Sequence, residues 1–439
     1  MLHVASDMYV EYLRYTTRFR HNPYYIDALK PVERRLLLTL HDIAPNKLVK
    51  SARIVGDCIG KLHPHGDLST YEALVGLVDR GFAQGSGNWG MPGFLEDDKA
   101  AAYRYSECMV QKGLDNIISE FLDFVEWGEY EYNKEPLHFS NPVPIGLIGK
   151  DFISGISVDV IKCPRYKSKD LFERLLSLLS GEMPKTIVPN IPGCDVVEDS
   201  PGEFERILKT GEGSIQVIPK IDVHKDLIVI NGRAPLKGFG PLIAFNAKYK
   251  EDNKQEYFEF VDLCGTVNPI EVQVYPTKGR LITDEFRDTI WKRISQKVNV
   301  SATFINKSFV TETMGIDSML LAAYNNWKET HLLKLNDSHR RCSAKIFELD
   351  VVQVVRDIMQ YNPTFNKVDD VVKAFIKHQK SFPMITTENI RSVIGKYNIK
   401  SLIEKDLNQN EHKKELKGIN HNISNLDKIS LDRIKGYIK

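Results

Sequence analysis

The sequence predicts more than one domain and several helical units, on three observations. A chain of 439 residues exceeds the size at which a single hydrophobic core stops growing, so its length favours two to four domains. Three short helical patterns follow one another before residue 80, which is typical of a helix-turn-helix-like unit. Residues 316–362 contain neither glycine nor proline, so they predict one helix of roughly 45 residues and about 65 Å.

The three short helices have recognisable start and stop signals. The first is predicted to begin at Pro31, where a missing N–H costs nothing, and Pro45 forbids its continuation. The second has Ser51 as its predicted N-cap and Gly60 as its predicted end. The third is predicted to have Asp67 as its N-cap.

The turn between the second and third helices reads "HPHGD", from His63 to Asp67. The residues alone leave a phosphate site, a metal site and a polar turn open. A position just before a helix favours phosphate, because backbone N–H groups at a helix N-terminus point towards an anion. Residues 14–61 hold ten Lys and Arg against four Asp and Glu, which suits a polyanion such as nucleic acid. A solvated basic face that is balanced by acids elsewhere is the alternative.

Composition excludes several classes of protein. Hydrophobic residues at 42% and charged residues at 27% are typical of a folded chain in water, and no run approaches the ~18 apolar residues of a membrane span. The N-terminus lacks the features of a secretory signal, so a cytoplasmic protein is expected. The six cysteines form no C-x-x-C pair, and the glycine-rich segment at 81–93 lacks the G-K-[ST] ending of a P-loop.

Four segments, in the same order, resemble the breakage-reunion part of the A subunit of type IIA DNA topoisomerases, the gyrase and topoisomerase IV family. They are "LKPVERR" at Leu29–Arg35, "KSARIVGDCIGKLHPHGD" at Lys50–Asp67, "GSGNWG" at Gly85–Gly90 and "AAAYRYSE" at Ala100–Glu107. The resemblance implies an α+β fold class, with a winged-helix (helix-turn-helix-like) DNA breakage-reunion domain at 1–140 and a mixed α/β tower domain at 141–312. It also implies a long antiparallel coiled-coil arm with a C-gate dimerisation region at 313–439.

The same resemblance implies a set of site residues. Tyr105 would attack a DNA phosphorus and become linked to the 5′ phosphate, while Arg104, Arg20 and His65 surround the developing charge. A free tyrosine hydroxyl has a pKa of about 10 and is a poor nucleophile at neutral pH, so positioned cations are needed. Ile156, in "GLIGKDFISGISV", would intercalate between base pairs. The implied contacts to the DNA backbone are His63, Lys30, Arg34, Arg35, Lys50 and Arg53.

The resemblance also implies partners and cofactors. Because the sequence shows neither an ATPase signature nor a credible metal site, Mg²⁺ and ATP are expected on a separate B-type subunit of an A2B2 complex, and none is expected on this chain alone. The chain is expected to bind double-stranded DNA as a homodimer, in a bacterium or a virus that infects one. Supercoiling members of the family carry a further C-terminal DNA-wrapping domain after the dimer arm, so relaxation or decatenation is expected instead.

Two alternatives follow from the same residues. One is a non-catalytic DNA-binding protein with the same winged helix. The other is a metallohydrolase, in which "HPHGD" supplies an H-x-H-x-D ligand set, although Leu68 stands where that motif continues with histidine. In bacterial members of the family the third helix begins "HPHGDS", and this serine and an acid four residues later anchor the magnesium of fluoroquinolone drugs. Leu68 and Glu72 occupy those positions.

Overall fold

The structure is a computed structural model with a mixed α+β fold, as predicted. It describes residues 8, 9, 12, 22–130, 133–156, 160–265, 269–277, 280–365, 367–397, 402 and 407–438. The chain divides into two compact units, one of residues 1–330 and 433–439 and the other of residues 331–432. The predicted domain boundaries at 140 and 312 both lie within the first unit and stay predictions. No helix in the described ranges is long and apolar enough to cross a lipid bilayer.

The N-terminal part of the first unit combines three helices with a small sheet. The helices are α1 (Pro31–Ile43), α2 (Ser51–Lys61) and α3 (Asp67–Asp79). The antiparallel sheet has the order β1-β3-β2, with strands β1 (Val49–Lys50), β2 (Ala83–Ser86) and β3 (Glu107–Val110). Apolar residues from all three helices and the sheet bury one shared core, including Leu36, Leu40, Ile54, Leu74 and Cys108.

The helix boundaries confirm α1 and correct α2 and α3. Helix α1 begins at Pro31 and ends before Pro45, as predicted. Helix α2 continues through Gly60, and the N-caps of α2 and α3 are Lys50 and Gly66. The predicted caps Ser51 and Asp67 are the first residues of their helices. Their side chains instead accept hydrogen bonds from residues before β3, from Ser106 Oγ at 2.8 Å and from the Tyr103 hydroxyl at 3.0 Å.

Two larger antiparallel sheets make up most of the rest of the first unit. A five-stranded sheet has the order β6-β7-β14-β9-β8, and a four-stranded sheet has the order β10-β11-β13-β12. Their strands are β6 (Phe152–Ile156), β7 (Val160–Pro164), β8 (Cys194–Glu198), β9 (Glu212–Pro219), β10 (Ile221–Val223), β11 (Ile228–Ile230), β12 (Phe258–Asp262), β13 (Val272–Pro276) and β14 (Gln296–Ser301). Each sheet buries its own apolar core.

Short elements complete this unit. Two-stranded pairs are formed by β4 (Trp127–Tyr130) with β5 (Asn133–Pro136) and by β15 (Thr303–Ile305) with β16 (Thr311–Thr313). The helices are α4 (Leu114–Ser119), α5 (Ser168–Ser180), α6 (Glu203–Thr210), α7 (Gly240–Asn253) and α8 (Asp284–Ile294), with single 3₁₀ turns at Leu122–Phe124 and Ile145–Leu147.

The predicted long helix is present as α9 (Ile316–Tyr361), which has 46 residues and is about 69 Å long at 1.5 Å per residue. The second unit also contains α10 (Val368–His378), a 3₁₀ turn at Gln379–Ser381, α11 (Thr387–Lys396), α12 (Asn410–Ser424) and most of α13 (Leu426–Ile438). Asp350 of α9 contacts Gln409, and Cys342 contacts His412. In these two contacts the residue number of the partner increases as the residue number in α9 decreases, so α9 and α12 run antiparallel.

The last residues of the chain pack within the first unit. Ile434 is buried in the same core as Trp327. The Arg433 guanidinium binds the carboxylate of Glu120, with Nη1 at 2.9 Å from Oε1, and also lies over the Trp327 ring, 5.4 Å from its centroid. The start of α9 and the end of α13 are therefore held against each other.

Candidate active site

Tyr105 lies on a tight turn that leads directly into β3. Its backbone N–H donates to the carbonyl of Ala102 at 2.8 Å. Two residues later, Glu107 pairs with Lys50 of β1 and with Ser86 of β2, so the sheet fixes the base of the turn on both sides. The Tyr105 side chain is 65% exposed. An anchored backbone thus carries an accessible phenol.

Arg104 accompanies this phenol. Its guanidinium carbon lies 4.6 Å from the centroid of the Tyr105 ring, within the range of a cation–π contact. The interaction places a permanent positive charge beside the hydroxyl-bearing ring. A cation in this position stabilises negative charge that develops on or near the phenolic oxygen.

A hydrogen-bond network behind the turn joins it to α2 and α3. The Tyr71 hydroxyl of α3 donates to the Ala101 carbonyl at 2.7 Å and lies 2.9 Å from Ser106 Oγ. Ser106 Oγ donates in turn to Ser51 Oγ at the start of α2. Tyr71 itself is buried on α3. The partners lie about 30 to 55 residues apart along the chain, so local spacing gave no signal of them.

The two histidines of "HPHGD" have different surroundings. His63 is buried, and its Nδ1 lies 2.7 Å from Nη1 of Arg35. Arg35 also donates to both carboxylate oxygens of Glu135, at 2.5 and 2.9 Å. Because arginine has no acceptor, Nδ1 of His63 accepts and the proton of the neutral ring lies on Nε2. The half-buried His65 packs edge-on against His63, with 4.4 Å between ring centroids.

The alternative in which this turn binds a metal ion competes with these contacts, because Arg35 already occupies one nitrogen of His63. Within the described ranges, one group of three metal-ligating side chains lies close together, and it is in the second unit. It consists of Cys342, His412 and Glu415, with their ligand atoms within 4.8 Å of one another. "HPHGD" contributes no residue to that group.

The predicted DNA-contacting cations fall into two sets. Lys50 and Arg53 are exposed at the start of α2, and Lys50 pairs with Glu107 at 2.9 Å. Lys30 is half-buried, and its Nζ donates to the Ser154 carbonyl of β6 at 2.7 Å. All three lie within the first unit.

Arg34 and Arg35 correct the expectation of direct backbone contact. Both are buried, and Arg34 binds the carboxylate of Asp27 through Nε at 2.8 Å and Nη2 at 2.9 Å. The Asp27 carboxylate is itself fully buried. Both guanidinium groups therefore form ion pairs inside the protein. His63 is also buried, in contact with Arg35.

Two further predicted site residues, Ile156 and Arg20, lie partly or wholly outside the described structure. Ile156 is the last residue of β6 and pairs with Val160 across the hairpin, while its side chain lies outside the described part. Arg20 lies outside the described residues altogether. The proposed roles of both residues stay predictions.

A three-helix unit with a small sheet, exposed cations and an anchored tyrosine is typical of a DNA-binding protein. The family model for the A subunit of DNA gyrase/topoisomerase IV matches residues 20–439, and the chain belongs to this family.

Individual relatives agree with the family model. The chain is 28% identical over 358 residues to the A subunit of DNA topoisomerase 4 from Neisseria gonorrhoeae, covering 72% of this chain and 45% of that protein. It is 27% identical over 379 residues to the A subunit of DNA gyrase from Helicobacter pylori strain J99, covering 79% of this chain and 43% of that protein. The aligned regions thus span less than half of each relative.

Proposed function

We propose that this chain is the DNA-cleaving and religating subunit of a type II topoisomerase, with Tyr105 as its nucleophile. The observation that carries the proposal is the exposed Tyr105 phenol, which lies under Arg104 on a turn that buried hydrogen bonds attach to α2 and α3. A nucleophile must be both accessible and held in a fixed position. Tyr105 meets both requirements.

The proposed reaction is a reversible exchange of one phosphate ester for another. Oη of Tyr105 attacks a DNA phosphorus, and an O–P bond forms as the bond from phosphorus to the 3′ oxygen breaks. The phenol loses a proton and the released 3′ oxygen gains one, so the strand break leaves a 5′-phosphotyrosine and a 3′-hydroxyl. Attack by that hydroxyl reverses each step. Resealing therefore needs no ATP, and Arg104, Arg20 and His65 are proposed to stabilise the charge on the phosphoryl oxygens.

The DNA would cross the surface formed by α2 and α3. The three helices and the sheet β1-β3-β2 are proposed to form a winged helix in which α3 approaches the duplex. Lys50 and Arg53 supply exposed cations for the phosphate backbone, and Lys30 lies at the edge of the same surface. Ile156, at the end of β6, is proposed to wedge between base pairs, which exchanges a few kcal/mol of unstacking for a bend that contacts more protein.

The second unit is proposed to belong to an antiparallel coiled-coil arm and to carry the dimer interface. Tyr361 is 84% exposed and Met384 is 80% exposed, and Ile376 also lies at the surface of this unit. Large apolar side chains at the surface are typical of interaction sites when they form a patch. A homodimer would place two copies of Tyr105 in one complex, as cleavage of both strands requires.

ATP hydrolysis and the Mg²⁺ site are proposed to reside on a separate B-type subunit, in an A2B2 complex that relaxes or decatenates DNA in the cytoplasm. The relatives named above are all A subunits, which supports the presence of such a partner. On this proposal, neither ATP nor a metal ion binds to this chain alone.

The test is covalent trapping of DNA by the complex with its partner. Addition of detergent during cleavage should leave wild-type chain covalently attached to labelled DNA, and Tyr105→Phe should abolish the adduct while it retains DNA binding. Tyr103→Phe is the matched control, because the same hydroxyl is removed two residues away, and it should still form adduct. A wild-type complex that binds DNA but never forms an adduct would favour the non-catalytic alternative.

A further inference from the structure

A cavity of about 570 Å³ lies between α3 and β6 in the first unit. One wall is a single face of α3, formed by Ser69, Glu72, Ala73 and Gly76 at spacings of three and four. The opposite wall is β6 with the residues that precede it. We call this space the α3–β6 cavity. Its size is that of a typical small-molecule site.

Four cations line the α3–β6 cavity, and three of them are partly or largely withdrawn from water. These three are Lys30, Arg80 and Arg165. Burial, with a smaller contribution from Arg80, lowers the pKa of Arg165 to about 10. Burial also lowers the pKa of Lys30, with a smaller contribution from the other two cations. Positive charge in this position is destabilising unless something negative balances it.

The protein supplies only part of that balance. Glu33 pairs with Arg80 at 2.5 Å. Arg165 donates to the carbonyls of Gly146 and Phe152, at 3.1 and 2.6 Å, rather than to a carboxylate. Burial raises the pKa of Asp151, the other acid in the interior of the cavity. At the rim, Asp79 pairs with Lys150 at 2.8 Å, and Glu72 is exposed to water. The interior is therefore the electropositive part.

Two side chains that line the cavity have buried polar atoms without a hydrogen-bond partner in the described parts of the chain. The Arg80 side chain is only 6% exposed. Its Nη2 binds Glu33 and its Nε binds the Gly76 carbonyl, while Nη1 has no partner in the described parts of the chain. The amide of Asn22 is also buried, and neither its nitrogen nor its oxygen has a partner there. A buried donor without a partner destabilises the folded state, and a bound acceptor would satisfy it.

We propose that the α3–β6 cavity binds a phosphate group, with Nη1 of Arg80 as the principal donor and Lys30 Nζ and the Asn22 amide nitrogen beside it. A phosphate has several acceptor oxygens and a negative charge. It can therefore accept hydrogen bonds from the unpaired donors and balance the positive charge of the cations. The cavity is larger than phosphate alone, which leaves room for an attached sugar. The phosphate is either free or part of the DNA backbone, to which Lys30 is also proposed to bind, and from neither source does it take part in the bond exchange proposed for Tyr105.

Equilibrium dialysis of the isolated full chain with radiolabelled inorganic phosphate, at constant ionic strength in chloride, tests the proposal. Saturable binding is expected. Arg80→Gln should weaken it by about tenfold or more, because it removes the charge and the principal donor. Arg287→Gln is the matched control, since it makes the same change at an exposed arginine of α8, and it should leave binding unchanged.

Further measurements keep the result decisive. Arg80→Lys retains the charge that pairs with Glu33, so it should fold even if Arg80→Gln does not, and it should bind phosphate more weakly than wild type. Competition by a short DNA duplex would assign the site to the DNA backbone, and its absence would assign it to a free phosphate. No saturable binding by the wild-type chain, or equal binding by wild type and folded Arg80 variants, would overturn the proposal. Neither outcome bears on covalent trapping through Tyr105.

Discussion

The buried guanidinium of Arg35 links helix α1 to strand β5 and to the "HPHGD" turn. It reaches Glu135 of β5 with two nitrogens and His63 with the third. Glu135→Gln would remove the charge that balances this arginine. Loss of one partner from a buried ion pair typically costs about 3–5 kcal/mol, so we expect a decrease of that size in the free energy of unfolding, measured by urea denaturation.

The control for this prediction lies on the same hairpin. Glu129 of β4 is exposed, and Glu129→Gln should change the free energy of unfolding by no more than about 0.5 kcal/mol. If both variants had the same stability, Arg35 would not depend on Glu135.

Leu68 has a surface position that suits a test of drug response. It is 68% exposed at the start of α3, so it does not pack on the apolar face of that helix. A leucine can neither donate nor accept a hydrogen bond and cannot anchor the water shell of a drug-bound magnesium ion. We expect the complex with its partner to resist fluoroquinolones, and Leu68→Ser to increase drug-induced DNA cleavage.

The matched control is Leu95→Ser, which makes the same change at another exposed leucine of the first unit. Drug-induced cleavage by this variant should equal that of wild type. The interpretation fails if Leu68→Ser and wild type respond alike to the drug while both cleave DNA in its absence.

The surroundings of a candidate site residue were predictable where a short motif defines them. They were not predictable where they depend on residues far away in the sequence. The motif at 104–105 predicted a tyrosine beside a cation, and the structure has that pair. The resemblance implied DNA contacts for Arg34 and Arg35, but their positions in a motif cannot show that they are buried in ion pairs with Asp27 and Glu135. Glu135 lies 100 residues along the chain from Arg35.

At the scale of elements, Glu348 connects α9 with the end of α11. Lys396 binds its carboxylate at 2.7 Å and Lys345 at 3.1 Å, and the Tyr397 hydroxyl also donates to it. Burial alone would raise the pKa of Glu348, but these hydrogen bonds lower it to about 2. The folded state therefore holds the charged form more strongly than the unfolded state does.

This shift predicts how stability depends on pH. A depressed pKa contributes stability above the unfolded value of about 4.3, and the contribution is lost as the pH falls towards 2. We expect Glu348→Gln to lower the melting temperature at pH 7, with a difference from wild type that shrinks between about pH 5 and pH 2. A difference that is independent of pH, measured by circular dichroism, would contradict the assignment.

Helices were predictable where proline marks their ends or where a long stretch contains neither glycine nor proline. Helix α1 and the 46-residue α9 follow from such local signals. The five-stranded sheet does not, because its neighbours β7, β14 and β9 lie far apart in sequence. The caps of α2 and α3 were wrong because Ser51 and Asp67 use their side chains for contacts with the Tyr105 turn.

For the whole molecule, the proposal predicts a chain that binds DNA alone but needs its partner for the reaction. The isolated chain should form dimers in solution and should not hydrolyse ATP. Its DNA affinity should fall with salt, because phosphate contacts release counterions. If Arg53 makes one such contact, Arg53→Gln should reduce the slope of log affinity against log salt by about 0.9, while Arg287→Gln should not.

The most direct test of the central claim is to identify the amino acid that carries DNA in the trapped complex. Trypsin cuts after Arg104 and Lys112, so Tyr105 is the only tyrosine of the peptide 105–112, and Tyr103 falls in a different peptide. After nuclease treatment, mass spectrometry should find a nucleotide attached to Tyr105. A nucleotide attached to any other residue, in a complex that still cleaves DNA, would contradict the assignment of Tyr105 as the nucleophile.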